Sequence, residues 1–538
     1  MRDGFVRATV ATLAAVAALT LPAASASAAN CPDSVTGSDF ATAAQLQKLT
    51  KKFNSFGPRI LASSAHDRSI DWLKEQAKAI DGMEVSQKPF KPYAWLPRTH
   101  RENKPGLDIG SAGGLSVTRA NGSKIEIEDA GAVHWSEPAE KGEAAGPLVY
   151  LPPDQDITPA NSAGKVVVRD FELGTLPFGG VSALLGLYLT PDIEDYGDYT
   201  RPYLSPNVHT DLVAAGTAGA AGVVYAFDVP AKQIRGYYDP HQGELYKVPA
   251  VFVGSSEAAQ LKTLAAQGSS AGVTVDAKVK RKKTRNLIAD LSGKSSEKIV
   301  LAANTDGNSW VQENGVIGML AFARYYADLP KQCRPRTLEL VFSSAHDGFR
   351  NDGLTHYDAT DEDIAFAYTI EHLGTREIMP TGEGADRHLE FTGVADPALF
   401  AAGDSDALRE AAVAATKKRK LPRTAVLKGL GVPNPDYAPS ICSMGGLGNY
   451  FHLALTPTLA MISGPWSLYD PVFGKKAIDF DQMRSQMLAA GDTVLALDEL
   501  PRAEIAGDYP ALKAELEAGT KDPCPVEEFP QFAPGPPG

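Results

Sequence analysis

From Asn286 onward the chain alternates strand-like and helix-like segments, and this rhythm limits the possible folds more than any other feature. Short apolar runs stand at 298–303, 337–342, 365–370 and 457–462, and helix-period stretches at 315–327, 404–419 and 479–500. Strands that read as continuous apolar runs are covered on both faces. The pattern therefore predicts an α/β fold, a mostly parallel mixed sheet with helices on both faces.

The N-terminal half has two textures. FATAAQLQKLTKKFNSFGPRI carries apolar residues at helical spacing and is interrupted at Gly57-Pro58. SSAHDRSIDWLKEQAKAI predicts a second amphipathic helix, with Ser63 or Ser64 as cap and Ile70, Leu73 and Ala77 on one face. MEVSQKPF alternates as a strand does. From about Ala130 the chain turns to short β-rich runs bounded by Gly or Pro: GPLVYLPP, GKVVVRDF, AGVVYAFD and VPAVFVG. LVAAGTAGAAGVVYAF predicts a small-residue helix leading into a strand, and 171–210, rich in Tyr, Pro and Asp with weak periodicity, predicts a long functional loop or insertion. The Pro/Gly-rich EEFPQFAPGPPG reads as an unstructured tail.

A length of 538 residues allows two to four domains. The net charge of −13 argues against a nucleic-acid partner and gives no electrostatic reason to bind anionic membranes. Arg2 and Arg7, the apolar run 8–21 and the small residues Ala24-Ser25-Ala26 and Ala26-Ser27-Ala28 read as a signal peptide over 1–29. That run is too short to span a bilayer, and no later one is long and apolar enough. The expected protein is secreted and extracellular. Cys31, Cys333, Cys442 and Cys524 form an even set that allows three disulfide pairings. Cys31–Cys524 with Cys333–Cys442 is expected, because the first bond ties two termini.

FGPRILASSAHDRSIDWLKEQ resembles the opening helix region of the family-28 metallopeptidases, and NLIADLSG with the strand after it resembles the family's entry into its catalytic sheet. The stretch 130–280 is similar to the protease-associated (PA) domain that many members, and the related transferrin receptor, carry at this place. The resemblance implies a peptidase-like domain in two parts, 30–129 and 281–505, around the insertion, with a C-terminal tail at 506–538. It further implies a secreted zinc exopeptidase of the aminopeptidase or carboxypeptidase type, with two zinc ions held at the strand ends by two imidazoles and three carboxylates. A separate glutamate would be the general base.

Set against that pattern, the motifs here are altered. His-x-Asp is replaced by Asn304-Thr305-Asp306, so a ligand histidine is lost and its orienting aspartate kept. The bridging aspartate before Asn-Gly corresponds to Glu313 in Glu313-Asn314-Gly315. The Glu-Glu pair of base and ligand corresponds to His346-Asp347, and the next aspartate ligand to Glu371 in IEHLG. Trp466 in WSLYD stands where the last histidine belongs, with Asp470 matching the aspartate that follows. Each acidic ligand position stays acidic but changes length by one methylene, about 1.5 Å. Metal sites accept only about 0.2 Å in ligand distance.

Two functions follow from the resemblance. One is a hydrolase of peptide or amide bonds with a remodelled metal site. Glu313, Asp347 and Glu371 would hold a divalent cation (Ca, Mn or Zn), and His346 with Asp306 would do the acid–base work. The alternative is a catalytically inactive pseudopeptidase that binds a peptide, sugar or protein in the old cleft. Asn304, His372, His452 and Trp466 are the candidate substrate-binding residues, each with a structural reading beside it. His372 and His452 could instead be core or surface histidines, and Trp466 ordinary packing. Ser343 and Ser344 stand beside His346 but lack a nucleophile-elbow pattern. Arg281–Arg285 reads as a solvated linker, and Gly445-Gly446-Leu447-Gly448 as a flexible loop on the active-site side.

Overall fold

The computed structural model describes residues 31–98, 109–239, 245–346, 352–429, 444, 446–469 and 471–520. The expected signal peptide, Asp347, Asp470, Cys442, Cys524 and the Pro/Gly tail lie outside the described residues.

Nine strands form the main sheet: β1 (Met83–Phe90), β2 (Gly186–Leu189), β3 (Thr284–Leu291), β4 (Lys298–Asn304), β5 (Thr337–Ser343), β6 (Ile364–Ile370), β7 (Ala398–Ala402), β8 (Thr424–Lys428) and β9 (Thr458–Ile462). Their order is β1-β3-β5-β4-β6-β9-β7-β8-β2. The central four, β5-β4-β6-β9, run parallel. The flanking pairs β1–β3, β3–β5, β9–β7 and β8–β2 are antiparallel. The predicted mixed, mainly parallel α/β sheet is thus present.

The continuous apolar strands are explained by their two-residue period. In β4, Ile299, Leu301 and Ala303 enter the large core, where helix residues such as Leu46, Val316, Leu320 and Met487 also lie. Val300 and Ala302 face a second cluster with Val341, Leu354, Leu447 and Phe451. The first face is covered by α1 (Ala43–Asn54), α3 (Gly315–Asp328), α4 (Asp406–Arg419) and α5 (Phe480–Asp498). Helix α2 (Ser64–Lys78) is capped by Ser63, whose hydroxyl accepts from His66 N–H, and it buries Ile70, Leu73 and Ala77 as their spacing predicts.

An eight-stranded sheet is built from the second texture together with two strands that precede Ala130, in the order Lys124–Ile127, Gly113–Thr118, Ser270–Val275, Ala139–Tyr150, Val166–Asp170, Gly222–Ala226, Ala250–Val253, Gly131–Ala132. The segment 171–210 departs from the expected loop. Gly174–Pro177 pairs antiparallel with Asp198–Arg201, Phe178–Leu185 is helical, and β2 closes the far edge of the main sheet against β8. Phe178 and Ile193 pack on Ala425 and Leu427 of β8. A four-residue strand starting at glycine has too little local pattern to read; its order comes from this packing.

The disulfide expectation is corrected: Cys31 and Cys333 form one disulfide. The residues that follow Cys31 are held by two helices of the main core. Val35 N–H donates to Asp492 of α5 at 2.8 Å and Thr36 N–H to the Tyr325 hydroxyl of α3 at 3.1 Å, just before the turn that carries Cys333. Past Leu500, the helices Arg502–Ala506 and Tyr509–Glu517 extend the fold into the segment expected as tail. Among the described residues no helix is long and apolar enough to cross a membrane.

Candidate functional site

The carboxyl ends of β4, β5, β6 and β9 deliver the candidate residues, as open α/β sheets place their ligands. Three residues in this region, Glu313, Ala345 and His372, hold left-handed backbone at φ +66°, +71° and +53°. Such strain persists only where the surroundings fix it. The Asn-Gly pair supplies part of that fixing. Asn314 donates its amide N–H to Leu373 O at 2.8 Å and accepts Leu373 N–H at 2.7 Å, tying the start of α3 to the end of β6. Gly315 is required because a Cβ there would lie 1.8 Å from Ile370 O.

Glu313 is fully buried, and its Oε1 lies 2.8 Å from His346 Nδ1. Burial raises the Glu313 pKa, with His346 opposing. Glu371 is also buried. Burial and the Glu313 charge push its carboxyl up to about 7, against the pull of His346 and the Leu447 N–H. That N–H donates to Glu371 Oε2 at 2.7 Å. Gly446 (φ +52°) permits the approach, since a Cβ would fall 2.2 Å from the same oxygen. The glycine-rich stretch expected as a flexible loop therefore cradles a carboxylate at this end. His372 Nδ1 and Ser463 O are 2.5 Å apart, so Nδ1 carries a proton and donates it to that carbonyl.

Asp306 is fully buried, close enough to His66 and Glu313 to favour the cation on one and disfavour the anion on the other. His66, which sequence reading passed over, accepts Ala62 N–H at Nδ1 and so donates from Nε2 to Thr305 Oγ1 at 2.9 Å. Its burial lowers the imidazole pKa to about 4. Thr305 in turn donates to Ser343 O at 2.8 Å, which joins the ends of β4 and β5.

Above this floor lies a cavity of about 240 Å³. His346, Glu371, His372 and Ser463 are its polar lining; Leu176, Phe178, Tyr199 and Tyr203 from the 171–210 segment form one apolar wall. Tyr238 enters from the chain of the second sheet and stacks on Tyr469 at 5.5 Å. The four wall residues carried no sequence signal beyond the Tyr-rich, aperiodic composition of 171–210, and Tyr238 carried none.

His346, Glu313, Glu371 and His372 are therefore gathered at one place, with Asp306 beside them. The other candidates sit elsewhere. Asn304 is buried and its amide has no hydrogen bond among the described residues. Trp466 is fully buried in the large core and does not line the cavity. His452 pairs through Nδ1 with the Tyr509 hydroxyl at 2.9 Å, also off the cavity wall. Among the described residues no three His, Cys, Asp or Glu side chains converge as ligands for one metal ion. Asn304 and Trp466, which the resemblance sets at the histidine positions, are not in this group, and the described residues do not make up the two-zinc donor set that the resemblance implies.

No family model matches the chain, and no curated protein matches it. Solved structures do. An aminopeptidase from Aneurinibacillus sp. strain AM-1 superposes with a TM-score of 0.51 at 15% identity, over 85% of this chain and 95% of that one. A Peptidase M28 precursor from Shewanella amazonensis SB2B gives 0.54 at 13% identity, over 85% and 98%. At such identities the likeness shows the fold alone, and that fold is the α/β architecture of the zinc exopeptidases.

Proposed function

We propose that this chain is an exported exopeptidase-fold protein whose cleft binds the amino-terminal end of a peptide, or a comparable apolar amine, without the di-zinc chemistry of the fold. One observation carries the reading: two buried carboxyl groups and an imidazole stand at the floor of a cavity whose walls are aromatic and aliphatic. A carboxyl poised near neutral pH gives up its proton when a cation arrives beside it, so an ammonium group would be held by the Glu371 anion it helps to create. The apolar walls would take the adjoining side chain. The stretch 130–280, read as a PA domain between peptidase-like parts at 30–129 and 281–505, would supply Tyr238 and the 171–210 wall. The Cys31–Cys333 disulfide fits an oxidising, extracellular compartment.

The test is calorimetric titration of the purified mature chain with short peptides bearing an apolar first residue, free or N-acetylated, with and without chelator. The expected result is chelator-independent binding that N-acetylation or Glu371→Gln weakens at least tenfold. Binding or turnover that appears only with zinc would overturn the reading.

A second reading is favoured by the 2.8 Å contact of His346 with Glu313. A carboxylate that orients an imidazole at a cleft makes a general base, able to take a proton from water at an amide carbonyl. Under this reading chelated protein hydrolyses amides, and His346→Ala abolishes the rate.

A further inference from the structure

Acids outnumber bases in this chain, 65 to 52, and several of its sheltered arginines are matched to acids, while Arg59 and Arg484 are held by backbone carbonyls. Arg169 pairs with Asp211, Arg201 with Asp396, Arg336 with Glu297 and Asp498, Arg419 with Asp492, and Arg423 with Glu377. Arg324, on the outer side of α3, differs. It is half-buried, and its one hydrogen bond among the described residues is from Nη2 to Gln76 Oε1 at 3.1 Å, with no carboxylate within ion-pair distance. Desolvation alone shifts its pKa, downward, with no carboxylate acting to hold the charge.

This guanidinium faces a surface groove of about 750 Å³ between α1, α2 and α3. Lys48 and Lys52, one helical turn apart on α1, stand on its rim, and half-buried Trp72 of α2 contributes an aromatic wall. Two acids, Asp39 and Asp328, also border the groove, and neither forms an ion pair with these cations among the described residues. Three cations beside two acids leave the groove positive on a protein of net charge −13.

We propose that this groove is a second ligand site, independent of the cleft, which takes an organic carboxylate with an aromatic or aliphatic body. The carboxylate would sit on the Arg324 guanidinium, whose planar fork matches two carboxylate oxygens. Lys48 would add long-range attraction, and the apolar body would lie against Trp72. A free peptide C-terminus and a small organic acid present the same chemistry.

The probes are N-acetylphenylalanine, its amide, an N-acetylated tripeptide with a free C-terminus, and inorganic phosphate, each titrated calorimetrically into the mature chain. The expected result is saturable binding of the free acid, at least tenfold weaker for the amide, at least tenfold weaker in Arg324→Gln, and several-fold weaker in Lys48→Gln. His346→Ala should bind the acid as the unaltered chain does. The tripeptide binding more tightly than the small acid would identify a peptide terminus as the source; the reverse would identify a small acid. Lys48→Gln changes an exposed side chain, so its result stands if Arg324→Gln fails to fold. Equal binding of acid and amide, phosphate binding as tightly as the acid, loss in His346→Ala, or no binding would each overturn the proposal.

Discussion

The buried ionisable side chains at the strand ends pull the stability of this protein in opposite directions with pH. Glu371 has a folded pKa of about 7 against an ordinary 4.5. Its contribution is fully present below pH 4.5 and is lost as pH rises through 7, because the unfolded chain releases a proton that the fold retains. His66 has a folded pKa of about 4 against 6.5. Its contribution is present above pH 6.5 and is lost as pH falls through 4. Each difference amounts to at most roughly 3 kcal/mol, and in the shared window they offset one another. Single variants should separate them. Measured by denaturant midpoints, Glu371→Gln should gain on the unaltered chain as pH rises from 4.5 to 7, and His66→Gln should gain as pH falls from 6.5 to 4. Curves parallel to the unaltered chain would refute the environments assigned here. The two residues also differ in legibility. Glu371 could be found because it ends an apolar strand-like run at the place where the resemblance implies an acidic ligand. His66 could not, since its partner Thr305 lies 239 positions away.

At the scale of elements, the four strands and three helices read after Asn286 fall within one or two residues of their observed bounds, because each is an apolar or helix-period run between polar or glycine-bearing turns; β7, β8 and the hairpin of Arg376–Thr381 with His388–Ala395 were not read. Gly315 and Asn314 marked the start of α3 correctly, but the reason is tertiary: glycine makes room for Ile370 O, and the asparagine amide satisfies the Leu373 backbone. Asn314→Ala would strand a buried N–H and a buried carbonyl, a loss of about 2–4 kcal/mol. It should also weaken ligand binding in the cleft, because the tie positions Glu371 and His372. A midpoint within experimental error of the unaltered chain would show that the clamp is dispensable. What stayed illegible was 171–210. Its short elements acquire order only against β8 and the hairpin formed by Arg376–Thr381 and His388–Ala395, so composition signalled an insertion without revealing where it docks.

Across the whole molecule, that insertion joins the two sheets and builds the cavity wall, and beside its strand pairing with β8 it is tethered by a buried ion pair. Arg201 and Asp396 are both 0% exposed and 2.7 Å apart. The Arg201 guanidinium lies 4.0 Å from the centre of the Tyr199 ring, while the Tyr199 hydroxyl donates to Asp396 and accepts Gly464 N–H. Tyr199 and Gly464 both line the cavity, so the tether and the ligand wall are one structure. Removing one partner of such a pair leaves an uncompensated buried charge and costs about 3–5 kcal/mol, whereas neutralising both costs much less. Arg201→Met should therefore be strongly destabilising and should lose affinity in the cleft. Arg201→Met combined with Asp396→Asn should recover much of both, because asparagine still accepts from Tyr199 and no charge is stranded. Denaturant midpoints and peptide titrations on the two variants read this directly. A double variant no better than the single one would mean that the pair specifies how the insertion docks, not only that it stays docked.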